Sequence, residues 1–165
     1  MLNSHWLAVP FVLQMLCMAA DELIFHRRRG LPRWERIGHP LDTLTVVICL
    51  GWILLFPPSR GSVAVFAALA VLSCVFVTKD EPVHRRYCTA AEQWVHAVLF
   101  MLHPIVLASA ALLWPAAAGS PARWVIETSG FERIFLTAVC VLILAFAVYQ
   151  FVFWNLLWRP KTNAR

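Results

Sequence analysis

Two stretches of this chain concentrate the side chains that can bind a cation or move a proton. The first reads Asp21-Glu22, then His26-Arg27-Arg28, then Glu35 and His39. The second reads Asp80-Glu81, then His84-Arg85-Arg86, then Glu92 and His96. Carboxylate and imidazole together suit iron, manganese or zinc. The two stretches match at offsets of 59, 58 and 57 residues, taken at Asp21, His26 and Glu35 in turn. The chain therefore carries an internal repeat whose shared positions are mostly ionisable. Seven of the nine acids lie in it, counting Asp42 beside those already named.

The spacing places these groups on helix faces. Residues three, four or seven apart share a face. Glu35, His39 and Asp42 fall on one stripe. Glu92 and His96 fall on the equivalent stripe, and His103 follows seven residues later. Glu22 and His26 are four apart, and Glu81 and His84 three apart. Four helical segments are thus expected to bring a carboxylate and a His to one depth. Glu22, His26, Glu35, His39, Glu81, His84, Glu92 and His96 are the expected metal ligands. Asp21, Asp42, Asp80 and His103 are expected to orient them or relay protons, since a metal-bound His is usually held by a further acceptor. Arg27, Arg28, Arg85 and Arg86 could hold a substrate headgroup or an acidic electron donor. Their simpler role is to anchor membrane orientation.

This plan resembles, in duplicated form, the site of the bundle di-iron and di-manganese carboxylate proteins. In those proteins two helices each give a Glu and two give Glu-x-x-His. The spacing here is Glu-x3-His, and extra His lie on the other two helices. The resemblance is to the type of site, and it implies two metal ions, iron first, with manganese or zinc as alternatives. Membrane desaturases and hydroxylases use adjacent His pairs, and no His-His pair occurs here. Haem held by two axial His, such as His39 and His96, is a further alternative. It leaves the many carboxylates without a purpose.

The composition says what must position these groups. Hydrophobic residues make up 61% of the 165 residues, charged residues only 14%, and the mean hydropathy is +0.70. A soluble domain has about 25% charged residues, so a water-soluble or disordered chain is excluded. The net charge of +5 reads as topogenic charge, and no nucleic-acid partner is expected. A bilayer takes about 20 apolar residues as helix. Five such runs occur, at about 6–25, 41–56, 62–78, 94–114 and 134–157. Asp21-Glu22 stand where a signal peptide would need small residues, and no basic segment precedes the first run, so it reads as a retained span.

Eleven of the 14 Lys and Arg fall in the first loop, the third loop and the tail; only Arg60, Arg123 and Arg133 fall on the other side. The positive-inside rule then predicts an inner-membrane protein with its N-terminus outside and its C-terminus in the cytoplasm. Seven Trp lie near span ends, and only Trp52 lies well inside one. Cys17, Cys49, Cys74, Cys88 and Cys140 form no CxxC pair and read as free thiols.

The expected architecture is all-α: an integral membrane bundle of five transmembrane helices in one domain over residues 1–165. Repeat one covers about 6–57 and repeat two about 62–115. A fifth helix at about 134–157, without acid or His in its core, is expected to pack or face lipid. The leading functional expectation is a di-metal oxidoreductase acting on a lipid-like or quinone-like molecule by hydroxylation, desaturation or oxidation. It would act at the cytoplasmic face and draw on a cytoplasmic electron donor. The alternatives are a metal-ion transporter, a metal- or haem-binding membrane protein, and a non-catalytic subunit of a membrane complex.

Overall fold

The computed structural model describes residues 2–120, 126–127 and 130–159. Five helices long and apolar enough to cross a membrane account for nearly all of them. They are α1 (Ser4–Arg29), α2 (Arg33–Leu55), α3 (Arg60–Tyr87), α4 (Ala90–Ala117) and α5 (Phe131–Leu157). A two-residue parallel pairing joins Leu2–Asn3 to Ile126–Glu127.

The ends follow local chemistry. Ser59 caps α3 by accepting from the Ser62 amide. Thr89 and Glu92 cap α4 reciprocally, side chain to backbone in both directions, which satisfies two otherwise orphaned amides. Gly30, at φ 76°, ends α1 in a conformation that disfavours a β-carbon. Pro57 and Pro58 separate α2 from α3.

The helices run past the apolar spans at the Arg-rich end. The second and third spans, short in sequence, become helices of 23 and 28 residues. The segments expected as charged loops are therefore helical, and their turns shrink to Gly30–Pro32 and Cys88–Thr89. This extension lets the ionisable residues project from helical backbone into the bundle. It includes two irregular turns. Asp21–His26 is a π turn, and Val77–Asp80 a 3-10 turn.

Two layers stack along the bundle. The apolar core occupies the end away from the Arg-rich turns. It includes Phe11, Cys49, Leu50, Phe66, Ala110, Leu113, Trp114 and Leu136. The polar cluster occupies the other layer. Outward positions are apolar throughout: Leu16, Val71, Val75, Met101, Ile134 and Val141 are all more than half exposed. A surface of that kind exceeds what a water-soluble monomer shows.

The fifth helix is not a peripheral addition. It packs against α2 and α4, and Thr43 on α2 donates to Gln150 on α5 at 2.9 Å.

Candidate metal centre

The ionisable residues of the four repeat helices meet in one buried cluster. From α1 come Asp21, Glu22 and His26, all nearly inaccessible, and α2 brings the buried Glu35 with the partly accessible His39 and Asp42. Buried Asp80 and His84 come from α3, and buried Glu92, His96 and His103 from α4.

The repeat organises the cluster crosswise. In one set, Asp21 Oδ2 lies 3.1 Å from His26 Nε2 and 3.1 Å from His96 Nε2, while Glu92 Oε1 is 4.0 Å from His26 Nε2. Asp21, His26, Glu92 and His96 bring ligand atoms within 4.8 Å of one another. The other set is its repeat counterpart: Asp80, His84, Glu35 and His39. Glu35 Oε1 is 3.7 Å from His84 Nε2. Glu35, His39 and His84 converge within 4.8 Å, and His39 converges likewise with Asp42 and Asp80. Each set takes Asp and His from one repeat and Glu and His from the other. The sets touch through their rings: His26 and His39 centroids are 4.8 Å apart, His84 and His96 4.0 Å apart.

A π turn reconciles the unequal spacing of the repeat. Asp and His are five residues apart in repeat one and four apart in repeat two. One extra residue on a regular helix rotates a side chain by about 100°. The turn over Asp21–His26, with its i→i+5 bonding, absorbs that residue, so Asp21 and His26 both face inward as Asp80 and His84 do. Glu81 follows a different course. It is exposed and lines an outer groove with Thr78, His84, Gln93, His96, Ala97 and Phe100. Asp80 is the inward carboxylate of α3.

Glu22 contacts His26 and joins none of the convergent groups. Its Oε2 is 3.3 Å from His26 Nδ1, and its Oε1 accepts from Tyr149 and Trp154 at 3.0 and 2.8 Å. Tyr149 in turn accepts from Arg27. The fifth helix packs as expected and in addition supplies Tyr149, Gln150 and Trp154 to the polar layer. Arg28, Arg85 and Arg86 are exposed, as is Arg27.

Arg29 is the group that sequence reasoning missed. Its guanidinium donates to Glu35 at 3.0 Å and twice to Glu92, at 3.2 and 3.0 Å. One cation thus joins a carboxylate from each set. Its only sequence signal is negative: the Arg run of repeat two stops at Arg86 and gives way to Tyr87. Lys79 was missed as well; it donates to Asp42 at 2.6 Å and to Asp80 at 2.8 Å.

Next to the cluster is a cavity of about 120 Å³. Asp21, Glu22, His26, His39, Asp42, Asp80, His84 and His96 are among its lining residues. Met18, Val46, Leu99, Phe100, Ile143 and Phe146 line the apolar remainder. His103 lies on its wall and pairs with Ser73 at 2.9 Å, and Ser73 with Thr45 at 2.6 Å. Cys88, between α3 and α4, joins His84 and His96 in a fourth convergence of ligand atoms. Burial pushes its thiol up to about 12.

Hydrogen bonding leaves a marked deficit here. Among the described residues, nine buried side-chain atoms of the cluster have no hydrogen-bond partner: Asp21 Oδ1, His26 Nε2, Glu35 Oε1, His39 Nε2, Asp42 Oδ1, Asp80 Oδ1, both ring nitrogens of His84, and His96 Nδ1. Only Ser4 and Gln14 add to that set elsewhere. Buried polar atoms are overwhelmingly paired in folded proteins, and an ion is one standard reason for an exception. Comparison with family models, curated proteins and solved structures returns no match to the chain.

Proposed function

We propose that the chain is a membrane-embedded di-metal oxidoreductase, with iron as the metal and a lipid-like or quinone-like substrate. The observation that carries this reading is the crosswise pair of ligand sets, with nine buried ligand-type atoms among the described residues making no hydrogen bond. Two His and two carboxylates in each set suit a first-row divalent ion. Acids in such number balance the charge of two ions, which a haem would not require.

Bound iron would supply oxygen activation. For hydroxylation the balance is R–H + O2 + 2 e⁻ + 2 H⁺ → R–OH + H2O, with both electrons from a cytoplasmic donor. The protein residues do the rest. Glu22, locked by Tyr149 and Trp154, fixes the ring of His26. Arg29 balances Glu35 and Glu92. The apolar cavity wall excludes water and accepts a hydrocarbon chain. Arg28, Arg85 and Arg86, exposed at the same end, offer a basic face to an acidic donor. The excess of basic residues at this end supports an orientation in the inner membrane with the N-terminus outside and the C-terminus in the cytoplasm.

Metal analysis of the purified chain, with a Mössbauer spectrum, tests the reading. Two irons per chain, lost in part in both His39→Ala and His96→Ala, are expected. A Soret band would assign haem instead. A metal-free chain whose activity survives both substitutions would sink the proposal.

A further inference from the structure

The repeat is broken at two places, and both breaks bear on how the two ligand sets hold a cation. The first is Glu22 against Glu81. Glu22 is buried, receives two hydrogen bonds and contacts His26 Nδ1. A carboxylate on the far nitrogen of a ligating His fixes the ring and raises its basicity. Glu81, its counterpart, is exposed and turned away. His84 accordingly has neither ring nitrogen hydrogen-bonded.

The second break is Lys79, where repeat one has Ala20. The Lys79 ammonium takes one oxygen each of Asp42 and Asp80. It places a positive charge beside one set only, and that charge opposes a second cation. Compactness points the same way. Asp21, His26, Glu92 and His96 form a single group of four within 4.8 Å, whereas the other set divides into two groups that share His39. Arg29 pairs with a Glu of each set and does not create the difference.

Given the metal reading above, we infer that the two sets are unequal cation sites. Asp21, His26, Glu92 and His96 form the tight site that fills first. Glu35, His39, Asp80 and His84 form a weaker, exchangeable site held open by Lys79.

Titration of the metal-free full chain in detergent with Co(II) tests the ranking, with bound ions counted by elemental analysis and followed by visible absorption. Two steps at least about tenfold apart are expected in affinity. Glu22→Gln weakens the first step by about 10–100-fold and leaves the second in place. Lys79→Met tightens the second step by about tenfold or more, and because Lys79 lies outside the tight set this arm stands even where Glu22→Gln folds poorly. His39→Ala removes the second step alone. Two equal steps, equal weakening of both by Glu22→Gln, or a second step unmoved by Lys79→Met overturns the ranking while the metal reading stands. No Co(II) bound by the wild-type chain overturns both.

Discussion

The carboxylate of Asp21 lies 3.1 Å from the imidazole of His96, which belongs to the other repeat. The same oxygen lies 3.1 Å from His26. Two imidazoles therefore compete for one carboxylate oxygen while Asp21 Oδ1 and His96 Nδ1 have no partner. A cation at this point would take lone pairs from the nitrogens and the oxygen together.

Asp21→Asn is expected to lose one of two bound ions. The amide keeps the shape of the side chain but removes the charge that both rings face. Elemental analysis should fall from two metals per chain to one. Unchanged content would detach Asp21 from the centre.

Arg29→Met tests the charge balance. The substitution leaves Glu35 and Glu92, 0% and 1% exposed, without their shared cation. Removing one partner of a buried ion pair costs about 3–5 kcal/mol, and the guanidinium, with 17% of its side chain accessible, belongs at the low end. Thermal denaturation of the metal-free protein should show the loss. A divalent metal should raise the midpoint more in the variant than in the wild type, because it replaces the missing positive charge. Equal shifts would separate Arg29 from the ligand chemistry.

Gly30 holds the turn that delivers Arg29. Its φ is 76°, and a β-carbon there would lie 2.7 Å from Trp158. Gly119 has a similar φ of 72° with nothing within 4 Å. Gly30→Ala is therefore expected to cost more than Gly119→Ala, which carries only a backbone strain of about 1–3 kcal/mol. The difference between their melting midpoints, together with a Trp fluorescence change confined to Gly30→Ala, checks it.

Orientation has its own test. A periplasmic alkaline phosphatase reporter placed between Phe56 and Ser59 should be active. A fluorescent protein placed after Leu157 should fluoresce, since it folds in the cytoplasm. The reverse pattern would place the cluster at the outer face, despite the sorting of 11 of 14 basic residues to its end.

The sequence disclosed the five helices and the polar repeat for one reason: ionisable residues stand out against an apolar chain. It did not disclose that Asp21 and Glu22 are both buried while only Asp80 of the second pair is. In repeat one that arrangement comes with the π turn at Asp21–His26, where one residue changes a side chain's direction by about 100°. Nor did it separate Arg29 from Arg27 and Arg28, because three consecutive Arg point three ways and only the bend at Gly30 selects one. Tyr149, Gln150 and Trp154 stayed hidden because uncharged residues near a span end look like ordinary interface anchors. Their role follows from α5 packing on the first repeat, which no periodicity in α5 announces.

Gly38 supplies a substitution in which stability and site are expected to move oppositely. It lies within α2, and a β-carbon there would meet both Asp80 carboxylate oxygens at 3.1 Å and Lys79 Cε at 3.2 Å. Glycine in a helix costs about 1 kcal/mol against alanine, so Gly38→Ala gains helix stability. Asp80 and Lys79 must shift by a few tenths of an ångström to admit the methyl group. The weaker set, which depends on Asp80, should lose cation affinity, while the set built on Asp21 keeps its own. The expected result is a melting midpoint of the metal-free protein equal to or above wild type, a weakened second Co(II) step and an unchanged first. A weakened first step with an intact second would show that Asp80 serves the other set, and the crosswise assignment would have to be redrawn.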